Sequence, residues 1–349
     1  MIILILTLAI LAMNEIGGLE ELYDKYLLAI PIEISGIEFK GLKRSLTCKA
    51  PTSNDFHLLR SISDNRTPWL GFIFGQTIVS IWYWCADPMI IHPMLEYSSL
   101  SHAKAGSLFV SFLKMFSLFL FVIPGMISRI LYKDSVACIY QEICDKFCNN
   151  KLSCANAAYP SLILGLMPSP LKGLILSTLI CALVFDLASV LRTSSQIIIQ
   201  DILLIFKKNS SFQERTIFRR GVIVLMVLIS FAWVPAIERI SNGQLYFYIQ
   251  DIIATFSPPI AAIFILAITV PKATEKGAFI SLIIGLFFSL GRIALTISFP
   301  EKDCCDTRFW LYKLHFMYFA IFLFAITVCI CLAVSYIVVP DRSELVITF

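Results

Sequence analysis

The feature that most limits this chain is a succession of apolar runs, each long enough to cross a bilayer. Trp69–Ile91, Ala105–Leu131, Leu171–Leu191, Ile217–Ile237, Leu245–Val270, Gly277–Phe299 and Leu314–Val339 carry few charges, and a spanning helix needs about 20 apolar residues. Hydrocarbon offers no water to backbone N–H and C=O groups, so runs of this kind must close their own hydrogen bonds as helices. Composition agrees, because 15% of the 349 residues are charged against about 25% in a soluble domain. The chain is therefore expected to be all-α and integral to the membrane, with seven complete spans. Ile2–Met13 is apolar but shorter than a span, and Asn14-Glu15-Ile16-Gly17-Gly18 ends it. It reads as the second half of a truncated N-terminal span. Met1-Ile2-Ile3-Leu4 brings no basic n-region and no small-residue cleavage site, so no signal peptide is read there. Pro124-Gly125 predicts a kink in the second span, and the third is expected to continue as helix to about Phe206.

The connections orient the spans. Lys207, Lys208, Arg215, Arg219 and Arg220 crowd one of them, and Lys272 and Lys276 lie in the connection two spans later. Alternating spans put both on one side, and the Lys/Arg excess makes that side cytoplasmic. The opposite side receives residues 14–67 with Cys48, the cysteine-rich loop 132–170, and Cys304-Cys305. That side is the oxidising one, where disulfides belong. Cys138 and Cys144 are six apart, as are Cys148 and Cys154. Two small local loops are the simplest of the three connectivities that four cysteines allow. Zinc is the alternative, although the spacing is not C-x₂₋₄-C and the cluster holds no histidine. Cys48 is a candidate partner for Cys304 or Cys305. Cys85, Cys181, Cys329 and Cys331 fall within spans and read as packing thiols. Asn65-Arg66-Thr67 is an external sequon, followed by Pro68, whereas Asn209-Ser210-Ser211 falls on the cytoplasmic side. The net charge of +4 is accounted for by topology, so nucleic acid is excluded as a partner.

Few polar residues lie within the spans: Asp87, Lys114, Asp186, Arg192, Gln250, Asp251 and Arg292. An intramembrane ionisable residue is a functional candidate by default. Trp82-Tyr83-Trp84-Cys85-Ala86-Asp87 sets flat aromatic faces beside hydrogen-bonding groups at membrane depth. That combination suits a sugar, whose ring C–H groups pack on an aromatic face while its hydroxyls need polar partners. The plainer alternative is an aromatic-rich helix with an interfacial aspartate. Gln244 to Gln250, with Gly243 before and Pro258-Pro259 after, reads as a soft polar helix of the kind that lines binding sites at the bilayer midplane. Arg292 sits near the outer end of its span and can snorkel. Asp186 and Arg192 could neutralise each other, although six residues rotate a straight helix by 240° and set them apart. A membrane enzyme is disfavoured: His57, His92, His102 and His315 are scattered, and no HExxH, GxSxG or phosphate-binding glycine loop occurs.

Three stretches resemble the sodium/solute symporters, specifically the animal sodium/glucose cotransporters. Gly71–Leu131 is similar to the family segment around its sugar-site tryptophan. Asn242-Gly243-Gln244 with Tyr248-Ile249-Gln250 is similar to the segment holding its sugar-site glutamine. Ala267-Ile268-x₃-Lys272-x₄-Gly277-Ala278-x₂-Ser281-Leu282-Ile283-Ile284-Gly285 fits the family signature, and the four-cysteine loop followed by Asn156-Ala157-Ala158-Tyr159-Pro160 resembles it too. The similarity covers nearly the whole chain. It implies a partial LeuT-type bundle of inverted helical repeats, with residues 1–349 as one transporter domain forming the second half of the family fold. It implies that Trp84 and Gln250 contact the sugar, that Tyr83 closes the site on the cytoplasmic side, and that Lys114 reaches a hydroxyl.

The same resemblance implies a sodium site at Ala182, Phe185 and Asp186, but a degenerate one. Two hydroxyl ligands are lost there and one becomes a carboxylate. Phe247 replaces the family's acid, His92-Pro93 its Gln-Arg, and Pro88 its glutamine. The first repeat is mostly absent. The implied function is sodium-coupled symport of a glucose-like monosaccharide across the plasma membrane by alternating access, with sodium as coupling ion and no cofactor. A sugar-binding sensor without coupled transport, or a non-functional fragment, is the alternative.

Overall fold

The computed structural model describes residues 2–30, 51–57, 59–62, 64, 67–138, 141–148, 154–207, 211–240, 245–298 and 314–337. Cys48, Cys304, Cys305, Asn65, Asn209 and Gly243-Gln244 lie outside these residues, so their expected roles find no structural description. The described residues are helical, with one isolated bridge between Arg60 and Pro68. In chain order the helices are α1 (Ile2–Ile16), α2 (Leu19–Leu27), α3 (Gln76–Cys85), α4 (Pro88–Leu95), α5 (Leu100–Met115), α6 (Ile123–Leu131), α7 (Gln141–Cys148), α8 (Ala158–Leu166), α9 (Ser169–Ile198), α10 (Phe212–Ile240), α11 (Leu245–Thr269), α12 (Glu275–Ser298) and α13 (Phe316–Ile337). A π-turn, Gly71–Gly75, leads into α3, and another, Ile199–Leu203, carries α9 on to Phe206, as the apolar pattern implied. Among the described residues, five helical stretches are long and apolar enough to cross a bilayer: Ser169–Leu203, Phe212–Pro235, Leu245–Thr269, Glu275–Thr296 and Phe316–Ile337. Two bent pairs reach that length together, α1 with α2 at 70° and α5 with Leu118–Leu131 at 42°.

Two expectations are corrected. Trp69–Ile91 is not one helix, because α3 ends at Cys85 and α4 begins at Pro88. Asp87 is the cause. Its carboxylate accepts from the Met89 N–H at 2.9 Å, and its carbonyl accepts from Ile90 and Ile91. Asp87 therefore caps α4, with Pro88 at the first helical position where a missing N–H costs nothing. The residue before a proline also avoids the α conformation. The second expected span does bend, but ahead of Pro124-Gly125. The break lies between Met115 and Leu118, and Leu118–Val122 forms a π-turn. A proline disturbs the turn before it, where its ring meets the carbonyl four residues back and its own donor is missing.

The chain forms two compact units, residues 1–52 with 92–245, and residues 53–91 with 246–349. In the first, Leu8, Ala12 and Ile16 recur at helical spacing and bury one stripe of α1 against Ile123 and Ile127 of α6, Leu162 and Ile163 of α8, and Ile175 of α9. Gly17 closes α1 with φ 97°, a left-handed conformation that glycine adopts without penalty. Its N–H reaches the Asn14 carbonyl while Gly18 reaches Met13, which completes a Schellman cap. Beyond α6, Cys138 is bonded to Cys144 and Cys148 to Cys154, with Cα separations of 5.5 and 5.7 Å. The sulfurs of Cys138, Cys144 and Cys154 lie within 4.8 Å of one another. Committed to disulfides, they leave no thiolate for zinc.

The second unit packs α11, α12 and α13 with the Gly71–Cys85 segment. Small residues set the spacing, as in membrane helix pairs generally. A Cβ on Gly71 would lie 2.9 Å from Met317 Cβ on α13, and one on Gly285 would lie 2.8 Å from Pro259 Cγ. Pro258 and Pro259 stand inside α11, which nevertheless runs unbroken to Thr269. Proline at 259 removes the donor that would bond the Thr255 carbonyl. The Ser289 hydroxyl of α12 donates to that carbonyl at 2.7 Å, and a second acceptor, Gly285 O, lies 2.9 Å away. Gly285 thus admits the proline ring, and one turn later Ser289 satisfies the carbonyl the proline has orphaned. At the other end, Thr274 caps α12 by accepting from the Gly277 N–H at 3.2 Å, and its own N–H donates to Ser335 Oγ on α13 at 3.1 Å.

Ser289→Ala should destabilise the second unit by about 0.6–1.7 kcal/mol, the range of interhelical hydrogen bonds in membranes, while Ser289→Thr should retain most of the stability. Unfolding midpoints of the purified protein in detergent check both, and an Ala variant as stable as the parent would contradict the role.

Candidate functional site

Small side chains let α3 and α11 approach. Val79, Ala254 and Ala320 form one buried cluster, flanked by Ile253 and Phe316. One turn before Val79 stands Gln76, and one turn before Ala254 stands Gln250. Their amides meet there, Gln76 Nε2 donating to Gln250 Oε1 at 3.4 Å across 174 residues of sequence. Both side chains are half-buried. From Gln76 the same helical stripe reaches Tyr83 after seven residues, close to two full turns. Tyr83 and Trp84 pack edge to face, with ring centroids 5.2 Å apart and planes at 85°. Trp84 is half-buried and Tyr83 exposed.

Asp251 follows Gln250, and here the structure adds a bond that sequence reasoning missed. Arg292 does not snorkel. Its Nη2 pairs with Asp251 Oδ1 at 3.0 Å, its Nη1 donates to the Leu314 carbonyl at 3.3 Å, and its guanidinium lies 4.4 Å from the centre of the Phe319 ring. One arginine on α12 therefore ties α11 to the start of α13. The pair is largely withdrawn from solvent, with side-chain exposures of 16% and 32%, so its attraction is screened little. By holding Asp251, it fixes the rotation of α11 about its axis and the direction in which Gln250 projects.

The structure brings Tyr83, Trp84 and Gln250 into the second unit, whereas Lys114 belongs to the first. Lys114 lies in the last turn of α5, exposed, and its carbonyl accepts from Ser117 Oγ at 2.6 Å. Ala182, Phe185 and Asp186 lie on the middle of α9, with Phe185 and Asp186 exposed. Among the described residues no ion pair joins Asp186 to Arg192, consistent with their separation around the helix. Sodium is a hard cation and takes oxygen ligands. Ala182 and Phe185 have no side-chain oxygen, so these three residues supply a single carboxylate. Two cavities occur elsewhere: one of about 490 Å³ lined by Glu275, Lys276, Ala278, Phe279 and Leu282, and one of about 220 Å³ between α1 and the Phe119–Ile123 segment. Neither is lined by Trp84 or Gln250.

The profile of the sodium:solute symporter family matches residues 1–285. The chain is 40% identical over 350 residues to a sodium/myo-inositol cotransporter of Canis lupus familiaris, covering 99% of this chain and 48% of that protein. It is 38% identical over 332 residues to sodium/glucose cotransporter 1 of Mus musculus, covering 94% and 50%. Against sodium/myo-inositol cotransporter 2 of Sus scrofa it is 37% identical over 349 residues, covering 99% and 51%. The chain thus spans about half the length of the curated relatives it matches.

Removing one partner of the Asp251–Arg292 pair should leave the other charge half-buried and cost about 1–3 kcal/mol. Asp251→Asn, Arg292→Gln and the double variant, compared by unfolding in detergent, should show coupling, with the double variant more stable than the sum of the single losses implies. Strict additivity would contradict a direct pair.

Proposed function

The chain belongs to the sodium:solute symporter family, and we propose that it serves sodium-coupled transport of a small polyhydroxylated ring solute, a hexose or a cyclitol, across the plasma membrane. The observation that carries this reading is the nearly equal similarity to sodium/myo-inositol and sodium/glucose cotransporters along almost the whole chain. Glucose and myo-inositol both present hydroxyls around a saturated ring. Their shared requirement is one flat apolar surface and several hydrogen-bonding partners.

In this reading Trp84 packs against the ring C–H face while the Gln250 amide meets hydroxyls as donor and acceptor. Tyr83 stacks over the solute toward the cytoplasm. Sodium binds the outward-open conformation more tightly than the inward-open one, so the sodium gradient biases the cycle toward solute entry. Access alternates as one helical repeat rocks against the other around the bound solute. No bond of the solute is made or broken, so the chain acts as a transporter and not as an enzyme. Its partners are the solute, sodium and the bilayer.

The test is uptake of labelled myo-inositol and D-glucose by oocytes expressing the chain, in sodium medium and in choline medium. Saturable uptake of either solute that requires sodium is the expected result, and equal uptake in both media would contradict it. A second reading, solute binding without coupled uptake, is favoured by the missing oxygens at Ala182 and Phe185. Its mark is a solute-evoked current with no accumulation.

Asp186 is the oxygen donor left among those three positions, and the lack of a pairing with Arg192 frees its carboxylate for a cation or a proton. Asp186→Ser should weaken the sodium or proton dependence of solute uptake by about tenfold in the half-maximal concentration, equivalent to about 1.4 kcal/mol. Unchanged dependence on both ions would remove Asp186 from the coupling site.

A further inference from the structure

We propose that Gln76 is a second amide of the solute site and sets, together with Gln250, which arrangement of hydroxyls the site accepts. The inference rests on the assignment of Gln250 to the solute. A glutamine side chain offers two donors and an acceptor with two lone pairs. Here Gln76 Nε2 donates to Gln250 Oε1 at 3.4 Å, which uses one donor and one lone pair of the couple. Among the described residues, neither Gln76 Oε1 nor Gln250 Nε2 meets a further protein partner. An amide at membrane depth with open donors and acceptors is costly unless something else binds it. The same contact aims Gln250. With its carbonyl held by Gln76, its NH₂ group is presented as a donor, while the Gln76 carbonyl beside it is presented as an acceptor. Exchanging O and N in both amides reverses the two roles and leaves the same couple, one donor beside one acceptor.

A hydroxyl is also a donor and an acceptor on one atom, and two neighbouring hydroxyls on a ring repeat the pattern. The couple therefore suits a ring carrying adjacent hydroxyls, and it discriminates by the direction in which they point. Backbone packing holds the couple in place. Val79 and Ala254, each one turn on from the two glutamines, are buried against Ala320, and the Asp251–Arg292 pair fixes the rotation of α11 one residue after Gln250. Tyr83 lies on the stripe of α3 that begins at Gln76, which continues the couple toward the aromatic residues.

The test measures binding of labelled myo-inositol and D-glucose to the purified full chain in detergent, for the parent, Gln76→Met, Gln76→Leu, Gln250→Met and the double variant Gln76→Met/Gln250→Met. Met and Leu suit an apolar helix, and unfolding midpoints report whether each variant is intact. The expected result is about tenfold weaker binding of the preferred solute in Gln76→Met and in Gln76→Leu, with the ratio of the two affinities shifted by at least about threefold and midpoints retained. The double variant should be less than additive, because the amides act as a couple. A change in the ratio separates a selecting role from general loosening, which would weaken both solutes alike. If Gln250→Met abolishes binding while both Gln76 variants keep parental affinity and ratio, the inference about Gln76 is wrong and the reading of Gln250 stands. If the parent binds neither solute, or Gln250→Met binds both as the parent does, the underlying reading fails and takes this inference with it.

Discussion

The packing of the second unit turns on one hydrogen bond, from Ser289 on α12 to the Thr255 carbonyl of α11. A proline inside a helix costs about 3 kcal/mol or more, and hydrocarbon supplies no water to repair the ladder it breaks. α11 carries two prolines in succession and remains continuous. It does so because Gly285 offers the ring a surface without a side chain and Ser289, four residues on, takes the released carbonyl. The spacing of glycine and serine on one face of α12 thus lets α11 continue as one helix past its prolines. Ahead of the prolines, Ala254 packs with Val79 and Gln250 meets Gln76.

Much of the architecture was legible because the bilayer imposes it. Apolar length located α9 to α13 to within a few residues, and the continuation of α9 to Phe206 followed from the uninterrupted pattern. What sequence reading misjudged depended on local competition. Asp87-Pro88 reads as a polar residue near the end of a span until the Met89 N–H is seen on its carboxylate, when it becomes a helix start. Pro124 marked a bend correctly but not where it falls, since the distortion precedes the proline. The contacts least legible were those between segments far apart in the chain. Arg292 near a helix end suggested snorkelling, and nothing local names Asp251 as its partner 41 residues away. Gln76 drew no notice in an apolar run, although a lone amide within that run was the available signal.

The first unit sets a different constraint. The apolar windows of α9 and α10 are only 6% buried within the described residues, so lipid or protein must cover them. Lipid cannot cover all of α9, because Asp186 is exposed near its middle, and a charge at the bilayer centre costs about 2.5–3.5 kcal/mol even on the mildest scale. The part of α9 around Asp186 belongs against water or polar protein.

The most direct test of solute recognition by the second unit is saturation-transfer NMR on the purified chain with myo-inositol and D-glucose. Irradiating the aromatic ring protons should transfer saturation to the ring C–H protons of a solute packed on Trp84, and Trp84→Leu should abolish that transfer while leaving the helical content unchanged. Transfer of undiminished strength in Trp84→Leu, or none in the parent at saturating solute, would contradict the account.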